Sequence, residues 1–427
     1  MLLIGIVLRV VNLDRKVYWH DEVYTSMEVT ANSRSELVAD LFDGREVGVA
    51  ELQEYQRMRP DRNLGEMLWR LGTEDVQHPP LFYVLTRYWS KLWGDSISTT
   101  RSMAVLLSFL AFPCIYWLCQ ELFASTIIGW IAIAIIAISP VHILYAQEAR
   151  EYSLWSVTTL LSSIALLRAI RQPTWINWGW YSLSLVVGLY TFLISGVVAL
   201  GHGLYVVLTD SRTVFSTNRF RLPRRTVAYL ISFAIAILLL TPWLYFLIEN
   251  FRTFQGSTSW TTVPLTYQQL LAAWLVNFSR ILVDFDINSD SLFVADQWVV
   301  KGLMVLAIVL GLYALFYVWQ RTQPAVWLFV WILAGSPVVL FILADLLVGG
   351  QRSASARYLI PGMLGVQLAI AYLVGDRLEQ TKRRRQPIWQ GVAIAIVVMG
   401  IGSGIALSSA ETWWTKGVSY HHPQLAG

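Results

Sequence analysis

Long apolar runs, separated by short polar breaks, dominate this chain. A helix needs about 20 apolar residues to cross a bilayer, and runs approaching that length fall at 1–13, 101–122, 125–144, 152–171, 174–192, 195–209, 226–247, 298–319, 324–347, 359–375 and 387–408. They predict an all-α polytopic membrane protein with about eleven transmembrane helices. The first run is short for a span. It lacks the basic start and small-residue cleavage site of a removable signal, so it reads as a helix.

The run from Pro79 to Trp93 differs from the others. It is short, carries Arg87 and Lys91, and opens on two prolines that suit a helix start. Placed on the membrane surface, it leaves the loops around Arg168 and Arg171, Arg212 to Arg225, Arg321 and Arg377 to Arg385 all on one side. The excess of basic residues makes that side cytoplasmic. The external side then receives 14–100, Gln147 to Glu151, 249–297, Gly349 to Tyr358 and the tail after Ser408. The expected organisation is a membrane domain over 1–408, whose external first loop, 14–100, carries interfacial helices, followed by an external tail over 409–427. Within that loop, 44–77 is a polar insert with its clearest turn signal at Pro60-Asp61-Arg62-Asn63.

Composition agrees with a membrane protein and excludes other classes. Of 427 residues, 56% are hydrophobic and 14% charged, against roughly 25% charged in soluble domains. The net charge of +4 sits in short basic clusters between apolar runs, where membrane orientation accounts for it, so no nucleic-acid partner is expected. Cys114 and Cys119 share one apolar run and read as small buried hydrophobes. There is no glycine-rich phosphate loop, zinc-type cysteine pairing or Gly-x-Ser-x-Gly elbow. His421-His422, beside Pro423, reads as solvent-exposed.

Chemistry concentrates on the external side. Tyr18-Trp19-His20-Asp21-Glu22 follows the first run and sets two carboxylates where bilayer meets water. A helix from Asp21 would turn Trp19, Val23 and Met27 toward the membrane, with Asp21, Thr25 and Glu28 on another face. Asp21 reads equally as a helix cap or as a general base in a controlled environment. Gln77-His78-Pro79-Pro80-Leu81-Phe82-Tyr83 opens the surface helix, whose first amides could face an anion. The loop Tyr145 to Tyr152 brings Glu148, Arg150 and Glu151 outside, with Glu148 and Tyr152 four apart on one helix face. Arg352 and Arg357, beside Tyr358, stand on the side basic residues avoid and so need partners. A phosphate and a structural ion pair, with Asp345 or a loop acid, are equal candidates.

In that order these residues resemble the GT-C glycosyltransferases, specifically the family-39-like relatives that include protein mannosyltransferases and aminoarabinose transferases. The carriers are Trp19-His20-Asp21-Glu22, His78-Pro79-Pro80-Leu81-Phe82-Tyr83, the lead from Gly94-Asp95-Ser96 to Arg101, the Ser139-Pro140 to Tyr152 loop, and Arg357-Tyr358-Leu359-Ile360-Pro361, spread over roughly residues 5–375. The resemblance implies sugar transfer on the external membrane face, from a polyprenyl-phosphate donor to a hydroxyl acceptor, with inversion. It makes Asp21 the base, with Glu22 as its neighbour, and puts His78, Tyr83, Glu148, Arg150, Tyr152, Arg352, Arg357 and Tyr358 around the substrate and its phosphate.

The chain departs from aminoarabinose-type relatives in having His78 where they carry a lysine and Tyr152 where they carry an aspartate, which leaves Glu148, ahead of Glu151, as the second acid. Some members of the wider class bind a divalent ion through external acids. No third carboxylate is securely placed here, so no cofactor and no metal are expected. The lack of long glycosylated-looking loops suggests a bacterial inner membrane with the site facing the periplasm. The alternative class is a lipid or solute transporter or flippase. That reading expects inverted repeats and charges at mid-membrane, whereas here charges crowd the ends of spans, Arg9 and Asp345 being the ambiguous cases.

Overall fold

The computed structural model describes residues 1–214, 222–294, 296–380 and 386–416. The His421-His422 pair and the end of the tail lie outside these residues, as do parts of the basic loops 212–225 and 377–385. The described residues are overwhelmingly helical and form no strand.

The helices run in chain order. α1 (Leu2–Val10) leads into the long first loop, which holds α2 (His20–Thr30), α3 (Arg34–Leu41), α4 (Val49–Glu54), α5 (Leu64–Glu74) and α6 (Leu81–Trp93). The bundle continues with α7 (Ile97–Phe109), α8 (Ala111–Phe123), α9 (Thr126–Ile138), α10 (Pro140–Ala146), α11 (Tyr152–Arg171), α12 (Trp175–Thr191) and α13 (Ser195–Val214). After α14 (Arg224–Glu249) come α15 (Phe251–Thr258) and α16 (Tyr267–Ser279), then α17 (Trp298–Arg321), α18 (Pro324–Val348), α19 (Ile360–Gln380) and α20 (Gln386–Ser409).

Among the described residues, seven helices are long and apolar enough to cross a membrane, or eight if the bent pair α9–α10 is one span. α7 and α8 together make one of them, as the run 101–122 suggested. Three other runs give helices that fall short: α1 has nine residues, α12 has 17, and the apolar part of α13 is Ser195–Asp210. In the central helix α11, 78% of the apolar window is buried inside the protein, and in the helix spanning Ala356–Glu379 the share is 89%. In α14 and α17 it is 22%, so their apolar surface faces outward, as lipid-facing helices require. Close approach between helices uses small residues. A Cβ on Gly5 would lie 2.5 Å from the Ala137 carbonyl oxygen, and one on Gly365 2.5 Å from the Ala334 amide nitrogen.

The run 125–144 is broken by 60°. Pro140 cannot donate a backbone hydrogen bond and pushes the residue before it out of the helical region, and Ser139 is extended, with ψ 122°. The break leaves carbonyls at the end of α9 without helical partners. Arg9 supplies the donors: its Nη1 reaches Ala137 O at 2.6 Å and its Nη2 reaches Ile136 O at 2.9 Å. The other ambiguous charge, Asp345, accepts from Arg352 Nη1 at 3.1 Å and from the Ser353 amide at 2.6 Å. Both therefore have structural work that does not require a transport path.

Within the polar insert the turn signal leads into a helix, with Asn63 capping α5 through the Glu66 amide at 2.9 Å. Met67 and Leu71 are buried, and Arg62 and Arg70 both bind Glu36. α6 begins at Leu81, just after the two prolines. Its Arg87 is fully buried and ties the first loop together, donating to Val29 O at 2.5 Å and Arg62 O at 2.6 Å.

Candidate active site

α2 starts at His20 with Trp19 as N-cap, and no side chain caps it. Asp21 is thus inside the first turn, and the expectation that it caps the helix is not met. Its carboxylate turns instead to the far end of the chain, where Arg357 Nη1 lies 2.5 Å from Oδ2, while His20 Nδ1 lies 3.0 Å from Oδ1. Burial alone would raise its pKa, but the His20 hydrogen bond and the charges of Arg150 and Arg357 outweigh that and hold it well below the usual carboxylate range.

Glu22, one residue on, has a different environment. It is fully buried and faces away from Asp21's cavity. Oε1 accepts from Arg101 Nε at 2.8 Å and the Ala149 amide at 2.9 Å, and Oε2 from Arg101 Nη2 at 2.7 Å and Lys416 Nζ at 2.9 Å. One carboxylate thereby joins α2, α7, the loop before α11 and the chain after α20. The adjacent acids that looked like a pair in sequence are a cavity residue and a structural anchor.

The cavity beside Asp21 has a volume of about 700 Å³. Phe192, Leu193, Ile194, Val197 and Phe341 give it an apolar wall, while Asp75, Gln77, Ser257, Thr258 and Thr262 give it a polar one. Arg34, Arg150, Arg352 and Arg357 line it against two aspartates, Asp21 and Asp75. This balance favours an anion.

Behind this wall the arginines are braced. Arg150 donates from Nη1 to Thr25 Oγ1 at 3.0 Å and to Asp21 O at 3.3 Å, and its Nη2 lies 2.8 Å from His78 Nε2. His78 Nδ1 lies 3.0 Å from Glu151 Oε1, so a ring with its hydrogen on Nδ1 satisfies both neighbours. Burial opposes ionisation of Glu151, yet the charge of Arg150 and the contact with His78 bring its pKa down to about 2. His78 is thus held between Arg150 and Glu151, with the Arg150 guanidinium against one ring nitrogen and the Glu151 carboxylate against the other. Arg352 lines the cavity while bound to Asp345, one of the two partners the sequence offered.

Arg357 also donates to the Tyr152 hydroxyl at 3.2 Å and lies 5.0 Å from the Trp260 ring centre. Tyr358 lines the same cavity, stacked on Trp260. Tyr83 does not reach it: the side chain is fully buried, tilted against His78 with ring centres 6.2 Å apart. Glu148 opens on a second cavity, of about 400 Å³, which it lines with Trp19, Arg280, Trp414 and Thr415, and Arg357 lines both cavities. Burial, with the charges of Glu22 and Asp21 added, raises Glu148 to about 7 against the pull of Lys416.

Sequence reasoning passed over Arg34, Asp75 and Lys416. Arg34 stacks 3.6 Å from the Tyr24 ring centre and pairs with Asp75 at 3.2 Å. Nothing in their local pattern separates them from ordinary loop charges.

The chain matches no known protein family, and no curated protein resembles it by sequence. Solved structures do match. Crystal structures of ArnT from Cupriavidus metallidurans superpose with TM-scores of 0.54 when bound to undecaprenyl phosphate and 0.51 in the apo state, each at 12% identity over 95% of this chain and 74% of ArnT. The apo oligosaccharyltransferase of Archaeoglobus fulgidus gives 0.56 at 13% identity, covering 99% of this chain and 56% of that one. The chain has a GT-C-like glycosyltransferase fold. At these identities the fold is what is shared. Both cavities lie where the first loop, the turn before α11, the region from α15 to α16 and the turns before α19 meet, with the turn between α12 and α13 walling the first and the residues after α20 walling the second.

Proposed function

We propose that this protein is an inverting glycosyltransferase, moving a sugar from a polyprenyl-phosphate donor to a hydroxyl acceptor on the external face of a bacterial inner membrane. The observation that carries this reading is the placement of Asp21, Arg150 and Arg357 in one cavity between an apolar wall and a polar one. A lipid-phosphate sugar has the same succession of apolar chain, anion and hydroxyls. The fold shared with ArnT, which was solved with undecaprenyl phosphate, supports the reading.

In this mechanism the acceptor hydroxyl attacks the anomeric carbon opposite the phosphate and Asp21 takes its proton. The bond from the anomeric carbon to the phosphate oxygen breaks, and the polyprenyl phosphate leaves with its charge held by Arg357 and Arg150. An Asp21 carboxylate paired to Arg357 is a poor base at rest. A donor phosphate that engages Arg357 weakens the pair and makes the carboxylate more basic where the proton is released. Arg352 and Tyr358 complete the phosphate side, Tyr152 orients Arg357, His78 and Glu151 brace Arg150, and Glu148 serves the second cavity. Tyr83 packs behind His78 and Glu22 anchors α2. The chemistry requires no metal.

The test is transfer by purified protein in lipid, supplied with a panel of polyprenyl-phosphate sugars and a hydroxyl-acceptor extract, with mass spectrometry of co-purified lipids alongside. Transfer that is lost in Asp21→Asn supports the proposal. Absence of both transfer and bound polyprenyl phosphate in the wild type overturns it.

A further inference from the structure

The residues after α20 carry no motif, yet they enter the core of the site. Val17 N donates to Glu411 O at 2.9 Å, and Trp413 and Lys416 pair through their backbones, with N–O distances of 3.3 and 2.7 Å. The indoles of Trp413 and Trp414 both donate to Asp284 Oδ2, at 3.0 and 2.7 Å. Arg280 lies 3.4 Å from the Trp414 ring centre. This strap delivers Lys416, which is fully buried, to Glu22 at 2.9 Å and to within 3.8 Å of Glu148 Oε2.

A buried ammonium is costly unless its partners repay the lost hydration. Here the partners are joined to the catalytic geometry. Glu22 adjoins Asp21 in the first turn of α2. Its Oε1 also holds the Ala149 amide, and the next residue, Arg150, grips the Asp21 carbonyl and Thr25. Glu22 therefore sets where the first turn of α2 sits against the Arg150 loop, and Lys416 supplies half of the bonding to Glu22 Oε2. Glu148, whose Oε2 has no hydrogen-bond partner, depends on the same ammonium for charge compensation. Trp414 and Thr415 of the strap wall the second cavity beside it.

We infer that Lys416 is a positioning residue for glycosyl transfer, acting through Glu22 to fix the first turn of α2 and hence the Asp21 carboxylate against Arg150 and Arg357. This rests on the proposed glycosyltransferase reading, and two measurements on the full chain separate them. The first is hydrogen–deuterium exchange in Lys416→Met. Faster exchange confined to residues 20–25 and 147–151, with α7 and α11 unchanged, is expected. Wild-type exchange over those residues, or acceleration throughout the bundle, overturns the inference whether or not the protein transfers sugar.

The second is kinetics. Lys416→Met is expected to lower kcat at least ~30-fold while donor KM stays within about threefold, since Arg150 and Arg357 remain to hold the phosphate. Lys416→Arg, which restores the charge, should recover a substantial part of kcat. A kcat unchanged in Lys416→Met overturns the inference, as does a loss that only tracks the fraction of folded protein. If Lys416→Met yields no folded protein, Lys416→Gln, which keeps hydrogen-bond donors without charge, takes both readings. A local exchange change in a protein whose wild type transfers no sugar defeats the glycosyltransferase proposal and leaves Lys416 as the residue that positions α2.

Discussion

Asp21 and Arg357 lie 336 residues apart in the chain and 2.5 Å apart in space, joined by an ion pair where two cavities meet. If Asp21 is the base, Asp21→Asn should slow transfer by about 10²–10⁴-fold, the usual worth of general base catalysis. Donor binding should change by no more than a few fold, because the arginines are intact. Initial rates together with direct binding of a polyprenyl phosphate check this, and retained transfer rules Asp21 out.

Arg357 is expected to act in both binding and turnover. Arg357→Met removes a charge-assisted contact of about 1.5–3 kcal/mol and should raise the donor dissociation constant about 10- to 100-fold. Arg357→Lys should recover only part of that, since a point charge does not reproduce the guanidinium fork. Titration of each variant with polyprenyl phosphate gives the comparison.

Glu22 should behave as structure. Removing one partner from a buried ion pair leaves the others uncompensated, at about 3–5 kcal/mol. Glu22→Gln, which keeps shape but not charge, should lower the thermal unfolding midpoint clearly, and Arg101→Met should do the same. Asp21→Asn, at the cavity wall where water can reach Arg357, should lower the midpoint less than either.

Glu148 makes stability depend on pH. Its pKa is raised from 4.5 to about 7, chiefly by burial. Between those values the folded protein holds a proton that the unfolded chain releases, so the contribution is full below 4.5 and is lost as pH rises through 7. Glu148→Gln should therefore lose less stability than the wild type on going from about pH 5 to about pH 8. A parallel pair of curves would show that Glu148 is not the titrating group.

Transfer should survive a chelator. The neighbours of Asp21 are His20, Arg150 and Arg357, which carry cationic or neutral donors, and no group of three metal-ligating side chains occurs among the described residues. Full loss of activity on chelation, restored by magnesium or manganese, would place an ion in the mechanism.

The sequence by itself determined the membrane bundle, because an apolar run of bilayer length must satisfy its backbone internally and so forms a helix. It also gathered Asp21, His78, Arg150 and Arg357 as candidates, through loop charges and an ordered resemblance. Tertiary structure alone separated Asp21 from Glu22, since side chains one residue apart on a helix point about 100° apart and only the packing decides which meets a cavity and which meets Arg101. It also brought Arg9, from a distant helix, to the carbonyls freed where Pro140 breaks the run at Ser139, and moved Tyr83 behind His78. Lys416 was invisible in sequence for the same reason: a lone lysine in a short tail has no period or spacing, and its meaning comes entirely from the buried carboxylate it reaches.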